Sequence, residues 1–158
     1  VKSFKEVAKM RYSLANYILS IASNDSKISQ LFKNVQIGGE GDALSTINIQ
    51  TSDRLWETDS FATGAWVHNK NLSRVGTCEV SISQLSDAVA KFKTFVAYFY
   101  SESADDNIEG VTLTLSDSNN KVIATCEDCY PVQVPPQEFA AKAAEQRWQF
   151  TCGRITYT

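Results

Sequence analysis

The most reactive side chains in this 158-residue chain are four thiols: Cys78, Cys126, Cys129 and Cys152. Cys126-Glu127-Asp128-Cys129 has the spacing shared by zinc sites and redox centres. A four-thiolate zinc site needs a second such pair, whereas Cys78 and Cys152 stand alone. A redox CxxC opens a helix in a strand–helix context. Here the motif ends an apolar strand pattern and runs into Tyr130-Pro131. The reading is therefore buried or idle thiols and no metal. They start reduced, and a disulfide is an option only in an oxidising medium.

Other candidate groups are sparse. His68 is the only histidine, and no Ser or Cys nucleophile pairs with it by spacing. Asp53, Glu57 and Asp59 offer carboxylates for acid–base work, but they share one polar loop with no sign of the burial that would shift their pKa values. Gly38-Gly39-Glu40-Gly41-Asp42 is glycine-rich, yet a phosphate cradle precedes a helix. The strand pattern Leu44, Ile47, Ile49 follows instead, so the cluster reads as a tight turn. No catalytic residue, cofactor or metal is expected.

With no reaction to position, the question becomes what surface the elements build. Residues 3–22 carry Phe4, Val7, Ala8, Leu14, Ala15, Ile18, Ile21 and Ala22 at helical spacing, with Ser3 and Glu6 as a capping box. This predicts a long N-terminal helix. A short helix is expected over 26–33 from Ile28, Leu31 and Phe32. Residues 52–72 read as a long polar-aromatic loop with one strand near 65–68. Cys78, Val80 and Ile82 alternate, which marks a strand over 77–84. Ser86-Asp87 opens a helix to Tyr100, striped by Ala88, Phe92, Phe95, Val96 and Phe99. Val111, Leu113 and Leu115 form the next strand, Asp117–Asn120 turns, and 122–126 returns. An extended Pro-containing connection over 130–136 and a loop or helical turn over 140–146 follow. Trp148, Phe150 and Cys152 share one side of the last strand. A parity change at Gly153 reads as a β-bulge continuing to Ile155 and Tyr157.

Composition sets the remaining bounds. A hydrophobic fraction of 43% supports a real core, and the apolar runs are too short for a membrane span. No secretory signal reads in residues 1–23, and Val1 is expected to follow removal of an initiator Met. Net charge is −3, with Lys2, Lys5, Lys9 and Arg11 against Glu6 at the N-terminus and an acidic remainder. A basic arm on an acidic body suits docking to an acidic neighbour. The acidic body disfavours stable nucleic-acid binding.

The order of strand, long loop, strand, helix, hairpin, Pro-containing connection and aromatic terminal strand resembles the tail-tube proteins of contractile-tailed bacteriophages. The stretches that carry the resemblance are Phe32-Lys33-Asn34-Val35 leading to Gly38-Gly39-Glu40-Gly41, Gly76–Asp87, the Val111–Ala124 hairpin and Arg147-Trp148-Gln149-Phe150. They span roughly residues 32–158.

The resemblance implies an α+β fold that is mainly an antiparallel β-sandwich or barrel, with one packed helix. To it the sequence adds an N-terminal helical arm, giving arm residues 1–33 and β domain 34–158. It also implies a homo-oligomeric ring of six subunits. Rings would stack with neighbouring tube, sheath or baseplate proteins into a virion tail assembled in the host cytoplasm, and DNA would pass through without specific binding. The loop over 52–72 corresponds to the one that reaches the next ring, so Trp56, Phe61 and Trp66 are its candidate anchors. Lys5, Lys9 and Arg11 are the arm's candidate contacts. The added arm tilts the reading toward a single-ring tube initiator or baseplate adaptor over the repeating tube subunit. The alternative is a monomeric β-rich carbohydrate- or protein-binding module, distinguished by its failure to associate at high concentration.

Overall fold

The computed structural model describes residues 12–33, 35–38, 44–100 and 110–158. The chain runs β1 (Tyr17–Ala22), α1 (Ser26–Leu31), β2 (Gln36–Gly38), β3 (Leu44–Thr51), β4 (Trp56–Ser60), β5 (Trp66–Lys70), β6 (Gly76–Ser83), α2 (Asp87–Tyr100), β7 (Val111–Asp117), β8 (Val122–Pro131) and β9 (Glu145–Tyr157). Seven strands form one antiparallel sheet in the order β2-β1-β7-β8-β9-β6-β3, and β4 pairs with β5 alone.

That order requires curvature. β2 and β3 are consecutive in sequence but lie at opposite edges. Seven strands laid flat span about 29 Å between their outer axes. The chain from Gly38 to Leu44 reaches at most about 22 Å. The sheet therefore curls, as a half-barrel does, and its concave face becomes the core.

The core face alternates as a half-buried sheet should. Leu19 and Ile21 of β1, Val80 and Ile82 of β6, Val111 and Leu113 of β7, and Trp148 and Phe150 of β9 are buried. Helix α2 closes this face with Ala88, Val89, Phe92, Phe95 and Val96. Phe92 sits between Trp148 and Phe150, its ring centre 5.3 Å from each. Phe95 meets Phe32, which brings the end of α1 into the same core. Asp25 caps α1 by accepting from the Lys27 and Ile28 amides.

The expected helix over 3–22 is corrected here. Its first part lies outside the described residues. Leu14–Asn16 is a single 3-10 turn, and Tyr17–Ala22 is a strand between β2 and β7. Leu19 and Ile21 point to the core from alternate positions, and the flanking Ile18 and Tyr17 favour extended backbone. Residues 17–33 thus belong to the sheet and its core and do not form a helical arm.

The expected short helix, the helix to Tyr100, the turn at Asp117 and the strands over 77–84 and 111–117 are all present. Residues 52–72 contain two paired strands where one was expected. β8 is longer than expected and carries the CxxC inside it. Val132 N donates to Gln149 O, so alternation leaves Pro131 opposite Phe150 at a position that needs no donor toward β9.

The parity change at Gly153 is present and has a matching fault across the ladder. Cys152 and Ile155 are both buried, with Gly153 and Arg154 exposed between them. On β8, Cys126 and Cys129 are both buried with Glu127 and Asp128 exposed between them. Three β8 residues there oppose two on β7, and Asp128 adopts φ 56. Asp128 Oδ1 accepts from Gly110 N, which pins the bulge to the start of β7.

Candidate functional site

The β4–β5 hairpin is the region whose sequence and environment disagree. All ten of its strand residues are exposed. The register places Trp56, Thr58 and Ser60 opposite Lys70, His68 and Trp66 on one face, and Glu57 and Asp59 opposite Asn69 and Val67 on the other. Its internal ties are surface ones. Thr58 Oγ1 and His68 Nδ1 are 2.8 Å apart, Asn69 Nδ2 donates to Asp59 Oδ2, and Lys70 Nζ lies 5.7 Å from the Trp56 ring centre. A two-stranded ribbon of this kind is marginal by itself in water.

The hairpin nonetheless carries large apolar groups. Trp56 is 54%, Phe61 57% and Trp66 67% exposed. Leu55 and Leu72 at its base are also exposed. The Phe61–Ala65 loop is closed by Phe61 N to Ala65 O and Gly64 N to Phe61 O, with Gly64 at φ 88. Five-residue closure with a glycine in the left-handed region is ordinary hairpin chemistry. The shape is therefore built locally, while the apolar area is left for something else to cover.

The carboxylates and His68 form no catalytic centre. Glu57 and Asp59 lie on the hairpin face opposite His68, and all three side chains are in solvent. Asp53 stands apart at the hairpin's root, in a groove it shares with Lys70, Leu72, Arg74 and Tyr157. Lys5, Lys9 and Arg11 lie outside the described residues. Among the described residues no group of three or more His, Cys, Asp or Glu is disposed to hold a metal ion. Among them, too, no helix is long and apolar enough to cross a membrane.

A second surface escaped sequence reasoning: the face of the sheet opposite the core. Gln36, Ser20, Thr114, Thr125 and Thr156 form one cross-strand row over five strands. On the other half, Asn48, Glu79 and Gln149 align, as do Gln50, Thr77 and Thr151. Arg147 Nε lies 2.7 Å from Glu79 Oε1, and Arg154 pairs in register with Glu127. The face is thus rich in hydroxyls and amides, and each arginine has a carboxylate neighbour. The signal for it was the run of Thr, Ser, Gln and Asn at the alternate positions of every strand.

In the sequence the acidic excess is concentrated in two short stretches. Beyond residue 23, Glu40, Asp42, Glu102, Asp105, Asp106 and Glu109 fall in the stretches 39–43 and 101–109, which hold no Lys or Arg. The rest of the chain after residue 23 is balanced between acids and bases.

Comparison with known proteins places this architecture. No curated protein sequence matches the chain. Among the solved structures that match, two share the fold closely enough to compare. One, from an extracellular contractile injection system described as the PVC sheath-tube complex in its extended state, superposes with a TM-score of 0.55 at 10% identity, covering 100% of this chain and 98% of that one. The other, the PVC sheath/tube terminator in the extended state, gives 0.53 at 12% identity, covering 95% and 98%. Residues 18–158 match the family described as the bacteriophage PhiTE tail tube protein. This is a family of structural proteins and not of enzymes. All of β1 but Tyr17 lies within the match, in agreement with its place inside the sheet, and the chain belongs to the bacteriophage PhiTE tail tube protein family.

Proposed function

We propose that copies of this tail component close into a six-membered ring, and that rings stack into a tube through which DNA passes. Assembly takes place in the host cytoplasm, beside sheath and baseplate proteins. The observation that carries the reading is the β4–β5 hairpin, which holds Trp56 and Trp66 in solvent on a ribbon too small to stand alone. Such a ribbon gains its order from a neighbour that covers the indoles. Trp56, Phe61 and Trp66 are its anchors to the next copy, and Lys5, Lys9 and Arg11 meet an acidic neighbour. β2 and β3 end the sheet at its two edges, where a neighbouring strand can add by backbone pairing.

The hydroxyl- and amide-rich face suits the wall of a DNA passage. Phosphate affinity comes from unneutralised Lys and Arg. On that face Arg147 is paired with Glu79 and Arg154 stands across the ladder from Glu127. Glu145 adds a further carboxylate to the same face, so such a wall releases DNA because no arginine on it is free to hold a phosphate.

The case for a single-ring initiator rested on the helical arm. With residues 17–33 built into the sheet and core, that support is lost, and the repeating tube subunit becomes the favoured role. The test is light scattering across concentration with negative-stain imaging of the same samples. Rings or long tubes are expected. Replacing Trp56, Phe61 and Trp66 with Ser should leave a folded protein that no longer associates. Assembly of the triple variant would remove the hairpin from the interface. A strict monomer at every concentration would favour the binding-module reading.

A further inference from the structure

The four thiols that seemed unrelated in sequence meet in one place. Cys78, Cys126, Cys129 and Cys152 are each no more than 1% exposed, and they come from the three adjacent strands β6, β8 and β9. The paired bulges described above explain how. Without the fault at Glu127-Asp128, residues 126 and 129 would face opposite sides of the sheet. Cys126 lies close enough to Cys129, Cys152 and Cys78 for its thiol to feel all three. Cys129 Sγ and Cys152 Sγ are 3.1 Å apart.

Cys129 and Cys152 have the backbone geometry of a bond. They are direct partners in the β8–β9 ladder. Val132 donates to Gln149, so counting back through Pro131 and Tyr130 puts Cys129–Cys152 at a pair without mutual hydrogen bonds. Such pairs bring Cα atoms to about 4.5 Å, within the about 4.4–6.8 Å that a disulfide spans. Cys126 has no such partner, because Ile155 lies opposite it. A zinc site fits less well: about 2.3 Å metal–sulfur bonds in a tetrahedron hold sulfurs about 3.8 Å apart.

We propose that Cys129 and Cys152 are an oxidation site, at which a small peroxide converts the two thiols to a disulfide that fastens β8 to β9. One sulfur attacks the peroxide, the O–O bond breaks, and a sulfenic acid and water form. The second thiol displaces the hydroxyl as water and the S–S bond closes. The sulfurs together lose two electrons, and hydrogen peroxide is reduced to two waters. Hydrogen bonding to Cys126, with burial, pushes the Cys152 thiol up to about 12, and Cys129 is raised by the same neighbour. Both are protonated at neutral pH. The reaction is therefore slow, quickens as pH rises, and requires a peroxide small enough to enter the core.

The experiment uses the full chain purified with reductant, treated with hydrogen peroxide, then denatured, alkylated and mapped without reduction. The expected product has two cysteines protected from alkylation and a single cross-linked peptide pair containing Cys129 and Cys152. Its urea midpoint rises above that of the untreated protein and returns on reduction. Four alkylated cysteines, a link through Cys78 or Cys126, or an unchanged midpoint would overturn the proposal. So would one zinc per chain that shields all four cysteines before any peroxide is added. No substitution is needed, and the outcome does not depend on whether the protein forms rings.

Discussion

The curled sheet and the β4–β5 hairpin are both antiparallel ribbons, yet they draw order from different sources. In the sheet every strand has one face against the core, and Trp148 is fully buried. In the hairpin both faces meet solvent, and Trp66 is 67% exposed. The same residue type therefore serves opposite ends. Burial of Trp148 holds the subunit together, while in the proposed ring Trp66 is the residue left for a neighbour to cover. Under the proposed assembly, a monomer would carry the hairpin as a cost in solubility that ring formation removes.

The largest expected effect separates the two tryptophans. Trp148→Ala should cost about 3–5 kcal/mol, because it empties a site against Phe92 and strands the Gln146 side chain. Trp148 Nε1 donates to Gln146 Oε1, whose amide donates to Gln137, which in turn donates to Pro135 O. The loop before β9 should loosen with it. Trp66→Ala should change monomer stability by less than about 0.5 kcal/mol. Urea midpoints of the two variants measure the contrast, and equal losses would mean that the hairpin is part of the folding unit.

Next come the glycines. A Cβ on Gly76 would run into Gln50 O and the Ile155 side chain, where β6 crosses between β3 and β9. Neither strand can yield without breaking its ladder, so Gly76→Ala should cost about 1–3 kcal/mol. Gly64 has open space but sits at φ 88. Gly64→Ala should strain the hairpin loop by about 1 kcal/mol and leave the global midpoint unmoved. Amide exchange resolves this: the Gly64 variant should speed exchange in β4 and β5 alone.

How far these features could be read in advance follows the same division. The core strands β6, β7 and β9 and helix α2 announced themselves because one face of each is buried, so apolar residues recur with the period of the element. β1 reads as helix because Ala15, Ile18, Ile21 and Ala22 fall at helical spacing, a stripe that leaves out Leu19, the residue the strand buries most deeply. Its β-branched residues and Tyr17 were the better guide. The hairpin strands gave little signal, since a ribbon exposed on both faces has no reason to alternate. The cysteine cluster was hidden for a different reason. Two bulges, three residues of β8 against two of β7 and a fault at Gly153, bring Cys126 and Cys129 to one side, and spacing alone assigns them to opposite faces of a strand. The exposed aromatics of residues 52–72 were visible as an oddity, and that oddity is what the hairpin preserves.

The smallest effect lies on the face proposed as the passage wall. Arg147 is 71% exposed at its side chain, while Glu79 is 19%. Nε lies close to Glu79 Oε1 but not in line for a hydrogen bond, and that oxygen is shut off from solvent. The contact is thus an attraction of charges across the β6–β9 ladder. Screening by solvent around Arg147 limits it, so Arg147→Ala should cost about 0.5–1 kcal/mol at low salt and less as salt is raised. Urea titrations at two ionic strengths test this. The same variant leaves Glu79 as an unopposed charge on the wall. Glu79→Gln does the reverse and frees an arginine for phosphate. If the wall works by keeping its arginines offset, Glu79→Gln should give measurable, salt-sensitive DNA binding in assembled tubes while Arg147→Ala gives none. Equal behaviour of the two variants would mean that this face does not meet DNA.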